Sequence, residues 1–114
     1  MSVTVYGIPN CDTVKKARDW LDAQGIAYAF HDYKKLGADP GKLAAWVAAV
    51  GWETVLNRTG TTFRKLPDGN KQGLDAATAV ALMAANPSCI KRPVVEHPGG
   101  LLVGFKADQW AAAF

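Results

Sequence analysis

Long hydrophobic runs, cysteines and charge of one sign are all scarce in this chain, and each scarcity removes a class of protein. No apolar stretch approaches the roughly 18 residues needed to cross a bilayer, so a membrane protein is not expected. Cysteine occurs twice, as Cys11 and Cys89. Two thiols are too few for a disulfide scaffold and suit a reducing compartment, so the expected location is cytoplasmic. His31 and His97 stand at no zinc-ligand spacing from either cysteine, and no metal site is expected. The chain holds no P-loop, no dinucleotide-binding glycine fingerprint and no nucleophile elbow built on serine. Its first residues, Met1-Ser2-Val3-Thr4-Val5, lack the basic and apolar segments of a secretory signal. The net charge is only +3, from 13 basic and 10 acidic residues that interleave. Without a basic arm, direct nucleic-acid binding is not expected.

What is present is an ordinary globular composition, 49% hydrophobic and 20% charged. The length of 114 residues predicts one domain, residues 1–114. Val3, Val5 and Ile8 frame a short strand that ends at Gly7-Ile8-Pro9-Asn10. Val14, Ala17 and Leu21 then fall at helical spacing, with Gly25 where the helix stops. Ile26, Tyr28 and Phe30 alternate with more polar or smaller residues, which predicts a second strand. A strand, helix and strand in that order predict a parallel pair with a right-handed crossover.

The middle of the chain reads as a helical insertion over about residues 38–88. Asp39-Pro40 predicts a capped helix start, Leu43, Trp46, Val47 and Val50 its apolar stripe, and Gly51 its end. Residues 52–72 predict short turns and helical pieces. Asp75 predicts another cap, with Ala79, Leu82 and Met83 facing inward before Pro87. Residues 92–96 and 101–105 then bracket His97-Pro98-Gly99-Gly100 as a hairpin with a four-residue turn, and residues 108–114 close with a helix. The fold class is therefore α/β: the order β-α-β, insertion, β-β-α predicts a thioredoxin-like fold.

Cys11 is the first residue to weigh for chemistry. It falls between the predicted strand-turn and the predicted helix. The unsatisfied N–H groups and positive end of a helix favour thiolate over thiol, the attacking species in sulfur chemistry. Lys15 and Lys16 act in the same sense, whereas Asp12 opposes them. A Cys-x-x-Cys pair would need cysteine at position 14, where Val14 stands, so the site is monothiol. Packing is the expected role of Cys89. Arg92-Pro93 opens a predicted strand; by spacing its guanidinium either stands beside the Cys11 sulfur, where it would hold an oxyanion or carboxylate, or is a solvated surface arginine. Arg58 and Arg64 lie in a segment rich in hydroxyls and glycine that can supply anion donors. The four tryptophans, Trp20, Trp46, Trp52 and Trp110, fit helix or core positions better than a base-stacking platform.

Residues 6–17, Tyr-Gly-Ile-Pro-Asn-Cys-Asp-Thr-Val-Lys-Lys-Ala, closely resemble the active-site segment of the arsenate reductase (ArsC)/Spx-like family. Ile90-Lys91-Arg92-Pro93-Val94-Val95 resembles the same family. His31-Asp32-Tyr33 and the stretch from Gly51-Trp52-Glu53 to Leu66 look like its YffB-type branch. The resemblance implies a thioredoxin-like fold with a helical insert, a redox cysteine at Cys11 and a cis-proline at Pro93. It implies a substrate- or anion-binding set of Asn10, Arg58, Arg92 and Pro93. In the family's arsenate reductases three arginines hold the oxyanion, and glutathione and glutaredoxin complete the reduction. Arg92 matches one arginine; Arg58 matches a second within one residue, since Thr59 occupies the strict position. Gly104 stands where the third belongs, with Lys106 nearby. Each missing charge-assisted bond is worth ~1.5–3 kcal/mol. The resemblance therefore implies a glutathione-dependent thiol reductase more than an arsenate reductase proper, with no bound cofactor and with glutathione or a glutaredoxin-type thiol donor as co-substrate. Spx-type relatives imply an alternative partner, the C-terminal domain of the RNA polymerase α-subunit, bound without turnover.

Overall fold

The computed structural model describes residues 3–114. In order, the elements are β1 (Thr4–Gly7), α1 (Asp12–Ala23), β2 (Ala29–Asp32), α2 (Tyr33–Leu36), α3 (Pro40–Val50), α4 (Trp52–Val55), α5 (Thr61–Lys65), α6 (Asp68–Lys71), α7 (Ala76–Ala85), a 3-10 turn (Pro87–Cys89), β3 (Val94–His97), β4 (Gly100–Val103) and α8 (Ala107–Ala113). The strands form one sheet in the order β2-β1-β3-β4. β1 runs parallel to β2 and antiparallel to β3, and β3 pairs antiparallel with β4. This is the thioredoxin-like α/β arrangement. No helix among the described residues is long and apolar enough to cross a membrane.

The chain divides into two compact units. One comprises the chain up to Leu36 together with Arg92–Phe114; the other is Gly37–Lys91. The first holds the sheet, α1, α2 and α8. Its core gathers Val3, Val5, Ala17, Leu21, Val95 and Trp110. Alternation puts Val3 and Val5 on one sheet face, and helical spacing brings Ala17 and Leu21 down on them. Trp110 arrives from α8, its ring edge-on to Trp20 and Phe105. Its indole N–H donates to the Gly104 carbonyl at 3.1 Å, so the one polar atom of this buried ring is satisfied.

The second unit packs α3 against α7, with α4 touching both. Capping residues start its two long helices. The Asp39 carboxylate accepts from the Lys42 N–H at 3.0 Å, with Pro40 at the first helical position. Asp75 and Thr78 form a reciprocal capping box at the start of α7. Leu43, Trp46 and Val47 from α3 and Ala79, Leu82 and Met83 from α7 are buried, as their spacing predicts.

Two local expectations are corrected. The second strand does not begin at Ile26: β2 is Ala29–Asp32. It lies at the sheet edge and pairs only where β1 offers a partner, from Thr4↔Ala29 to Gly7↔Asp32. Its length is thus set by its neighbour and not by its own alternation. The hairpin is also tighter than expected. His97 pairs with Gly100, which leaves only Pro98 and Gly99 in the loop. The Gly99 N–H donates to His97 Nδ1 at 3.1 Å and closes the turn. Two-residue connections match the twist of the flanking strands.

Candidate functional site

The sheet register brings several chain segments to one end. β1 and β2 are parallel, and Gly7 is paired with Asp32, so both strands finish together. The chain leaving β1 reaches Cys11, and the chain leaving β2 reaches Tyr33. β3 runs the other way and begins where β1 ends, with Val94 opposite Tyr6. Pro93 and Arg92 therefore precede β3 at this same end. The carboxyl ends of parallel strands are the usual place for ligands in open α/β sheets. All four residues lie in the first compact unit.

Cys11 is half-buried and occupies the N-cap of α1. Its thiol makes no capping hydrogen bond. Its own N–H donates to the Ile8 carbonyl at 3.3 Å, and its carbonyl accepts from Lys15 at 2.9 Å. The turn is closed by local backbone bonds, which fixes the side chain at the start of the helix. Asn10, Lys15 and Lys16 are exposed. Gly7 has a packing reason to lack a side chain. A Cβ there would lie 2.9 Å from a Val14 methyl, and Val14 is fully buried. The β-branched Val14 cannot swing aside freely, so β1 and the first turn of α1 approach closely only with glycine at position 7. Gly7→Ala is expected to lower stability by about 1–3 kcal/mol, read as a shift of the urea midpoint with an unchanged slope.

Tyr33 opens α2 and is 1% exposed. The preceding Asp32 carboxylate accepts from the N–H groups of Lys34 and Lys35 at 3.0 and 3.2 Å, which anchors this short helix directly after β2. Arg92 and Cys11 both lie within electrostatic reach of the Tyr33 hydroxyl. Burial pushes the Tyr33 hydroxyl far above its ordinary range. The Arg92 charge pulls it back, and the charges of Cys11 and Asp32 push it up again. Tyr33 is thus a neutral phenol throughout the working pH range.

Arg92 is half-buried, and the Arg92-Pro93 peptide is cis. The Pro93 side chain is fully buried, and its carbonyl accepts from the Gly104 N–H at 2.8 Å. Cys11, Arg92 and Pro93 share one unit and one end of its sheet. Arg58 belongs to the other unit, where it is exposed. It pairs with Glu53 at 3.6 Å and lies over the Trp52 ring at 5.4 Å. Cys89 is buried in that unit, 1% exposed, and its carbonyl accepts from the Asn57 N–H at 2.7 Å. Both cysteines are reduced. Among the described residues no cluster of three or more His, Cys, Asp or Glu side chains is placed to hold a metal ion.

Tyr33 was absent from the residues singled out for chemistry by spacing. A signal existed: it follows a predicted parallel strand directly, at the strand end where Cys11 also falls.

Comparison with known proteins adds three relatives and one family. The model of the ArsC family matches residues 6–113. A solved structure of a YFFB protein is 58% identical, covers 98% of each chain and superposes with a TM-score of 0.96. An uncharacterized protein of Haemophilus influenzae is 43% identical over 112 residues, 98% of each chain. The global transcriptional regulator Spx of Streptococcus mutans is 25% identical over 109 residues, which are 94% of this chain and 79% of that one.

Proposed function

The chain belongs to the ArsC family, and from that membership we propose that it is a glutathione-dependent thiol reductase working through Cys11 alone. The observation that carries the reading is the half-buried thiol of Cys11 at the start of α1, at the sheet end that also bears Arg92. The attacking species is the Cys11 thiolate. That thiolate attacks the glutathione sulfur of a mixed disulfide between glutathione and a substrate. A Cys11–glutathione bond forms, the substrate–glutathione bond breaks, and the substrate leaves as a thiolate that takes a proton from water. A second glutathione thiolate attacks the glutathione sulfur now on Cys11. Oxidised glutathione departs and the Cys11 thiolate returns. The mixed disulfide is thus reduced by two electrons, which two glutathione thiols supply as they become oxidised glutathione. Arg92 binds a carboxylate of the incoming glutathione through its fork of donors.

Arsenate fits the reading less well. Gly104 stands in place of a third guanidinium, and its N–H is already donated to Pro93. Treatment with oxidised glutathione followed by intact-mass and peptide mass spectrometry tests the proposal. One adduct per chain is expected, on Cys11. No adduct there, or equal labelling of Cys89, overturns it.

The similarity to Spx supports a second reading, a regulator that binds the C-terminal domain of the RNA polymerase α-subunit without turnover. A pull-down with that domain, retained by Cys11→Ser and accompanied by no thiol turnover, would favour it over the reductase.

A further inference from the structure

We propose that the free edge of β2 is a docking surface for a second copy of this chain, the two β2 strands pairing antiparallel about Phe30 so that two four-stranded sheets run on as one. Every residue of this surface lies in the first compact unit.

The backbone sets the geometry. β2 is an outer strand, and among the described residues no strand lies beyond it. The Ala29 N–H donates to the Val3 carbonyl at 2.9 Å, so Ala29 faces β1. Successive residues of a strand turn their N–H and C=O groups to opposite sides. His31 therefore also faces β1, while Phe30 and Asp32 present their backbone groups outward, as an open edge does. A two-fold axis beside Phe30 pairs it with its own copy and sets Asp32 opposite the second copy's Tyr28.

Charge decides which strand fits this edge. Lys34 and Lys35 stand exposed just past one end of β2. Asp22 is exposed near the other end, where it lines an open cleft of about 400 Å³ with Arg18, Ile26, Ala27, Tyr28 and Phe30. A copy laid parallel would set lysine against lysine and be repelled. The antiparallel two-fold instead brings Lys34 and Lys35 of each copy to Asp22 of the other. Such self-complementarity is what an isologous interface requires.

Arg18 supplies a second charge pair. Its Nε donates to the Tyr28 hydroxyl at 3.0 Å and its guanidinium lies 4.2 Å from the Phe30 ring centre. It is thus held beside Tyr28, opposite the second copy's Asp32. Asp32 Oδ1 accepts the Lys34 and Lys35 N–H groups, and Oδ2 is left for the guanidinium. Leu36, 66% exposed, lies at the lysine end and is carried toward the second copy's cleft. A strand of four residues buries less than the roughly 1,600 Å² of a standard interface. Association in the micromolar to millimolar range is therefore expected.

The test reads amide exchange residue by residue on the unmodified chain as its concentration is raised through that range, with sedimentation run on the same samples. Protection of the Phe30 N–H should rise in step with the dimer fraction. Ala29 and His31, already bonded to β1, should change little. Asp22→Lys, and separately Lys34→Glu with Lys35→Glu, should each weaken self-association about tenfold, since each turns attraction into repulsion at both ends of the interface. Mixed one to one, the two variant chains should associate as well as the unmodified chain does.

A monomer throughout the concentration range overturns the proposal. So does a dimer in which the Phe30 amide gains no protection, because its interface then lies elsewhere. A mixture that associates no better than its two components overturns the charge pairing and the antiparallel register with it. The exchange measurement needs no variant, so it stands even where a charge reversal upsets the fold.

Discussion

Under native conditions one thiol per chain is expected to react quickly with a disulfide reagent such as Ellman's, and the other at least ~10²-fold more slowly. Cys11 is half-buried at the beginning of a helix, with no capping bond on its sulfur. Cys89 is 1% exposed inside the second unit. Reaching it requires local or global opening. An opening that costs about 3 kcal/mol leaves about one molecule in a hundred accessible at any moment. Cys11→Ser should remove the fast phase completely and leave the slow one. Cys89→Ala should do the reverse. In denaturing urea the two thiols should react alike, because the difference is one of access and of the helix end. A fast phase that survives Cys11→Ser would remove the basis for any sulfur chemistry at position 11.

Much of this was visible in the chain before the structure. Asp39-Pro40 and Asp75 mark helix starts because a short carboxylate at the cap satisfies N–H groups within three residues, a purely local matter. The buried faces of α1, α3 and α7 follow from helical spacing for the same reason. Cys11 was legible because a strand, a turn and a helix succeed one another within a dozen residues. What was not legible depends on distant parts of the chain. β2 starts at Ala29 because its partner β1 begins at Thr4; the alternation from Ile26 is not enough by itself. The hairpin loop is two residues long because the β3–β4 ladder runs on to His97 and Gly100. Tyr33 looks like any aromatic after a strand. Its place at the Cys11 end of the sheet comes from the β1–β2 register, which brings Asp32 level with Gly7. The local partners of Arg58, the Glu53 carboxylate and the Trp52 ring, were likewise not legible from spacing and charge.

The largest stability loss is expected from Trp110→Ala, about 3–5 kcal/mol in urea unfolding, the range for truncating a buried large aromatic. Trp110 is 1% exposed and belongs to the core cluster with Val5, Ala17, Leu21 and Val95. Its ring meets Trp20 at 5.8 Å and Phe105 at 4.9 Å, both edge-on. Alanine would leave a cavity among these groups and strip the Gly104 carbonyl of its indole partner. Trp110→Phe keeps most of the ring but not the N–H, and should cost less, about 1–3 kcal/mol. The consequence reaches the candidate site through α1. Ala17 and Leu21 hold that helix on the cluster, and Cys11 sits at its first turn. Loosening the cluster should therefore release the Cys11 thiol from its place at the helix start. In Trp110→Ala, selective labelling of Cys11 should disappear at the same, lowered urea midpoint as the circular dichroism of the folded chain. Selectivity that persists well beyond that midpoint would show that the Cys11 turn owes nothing to this core.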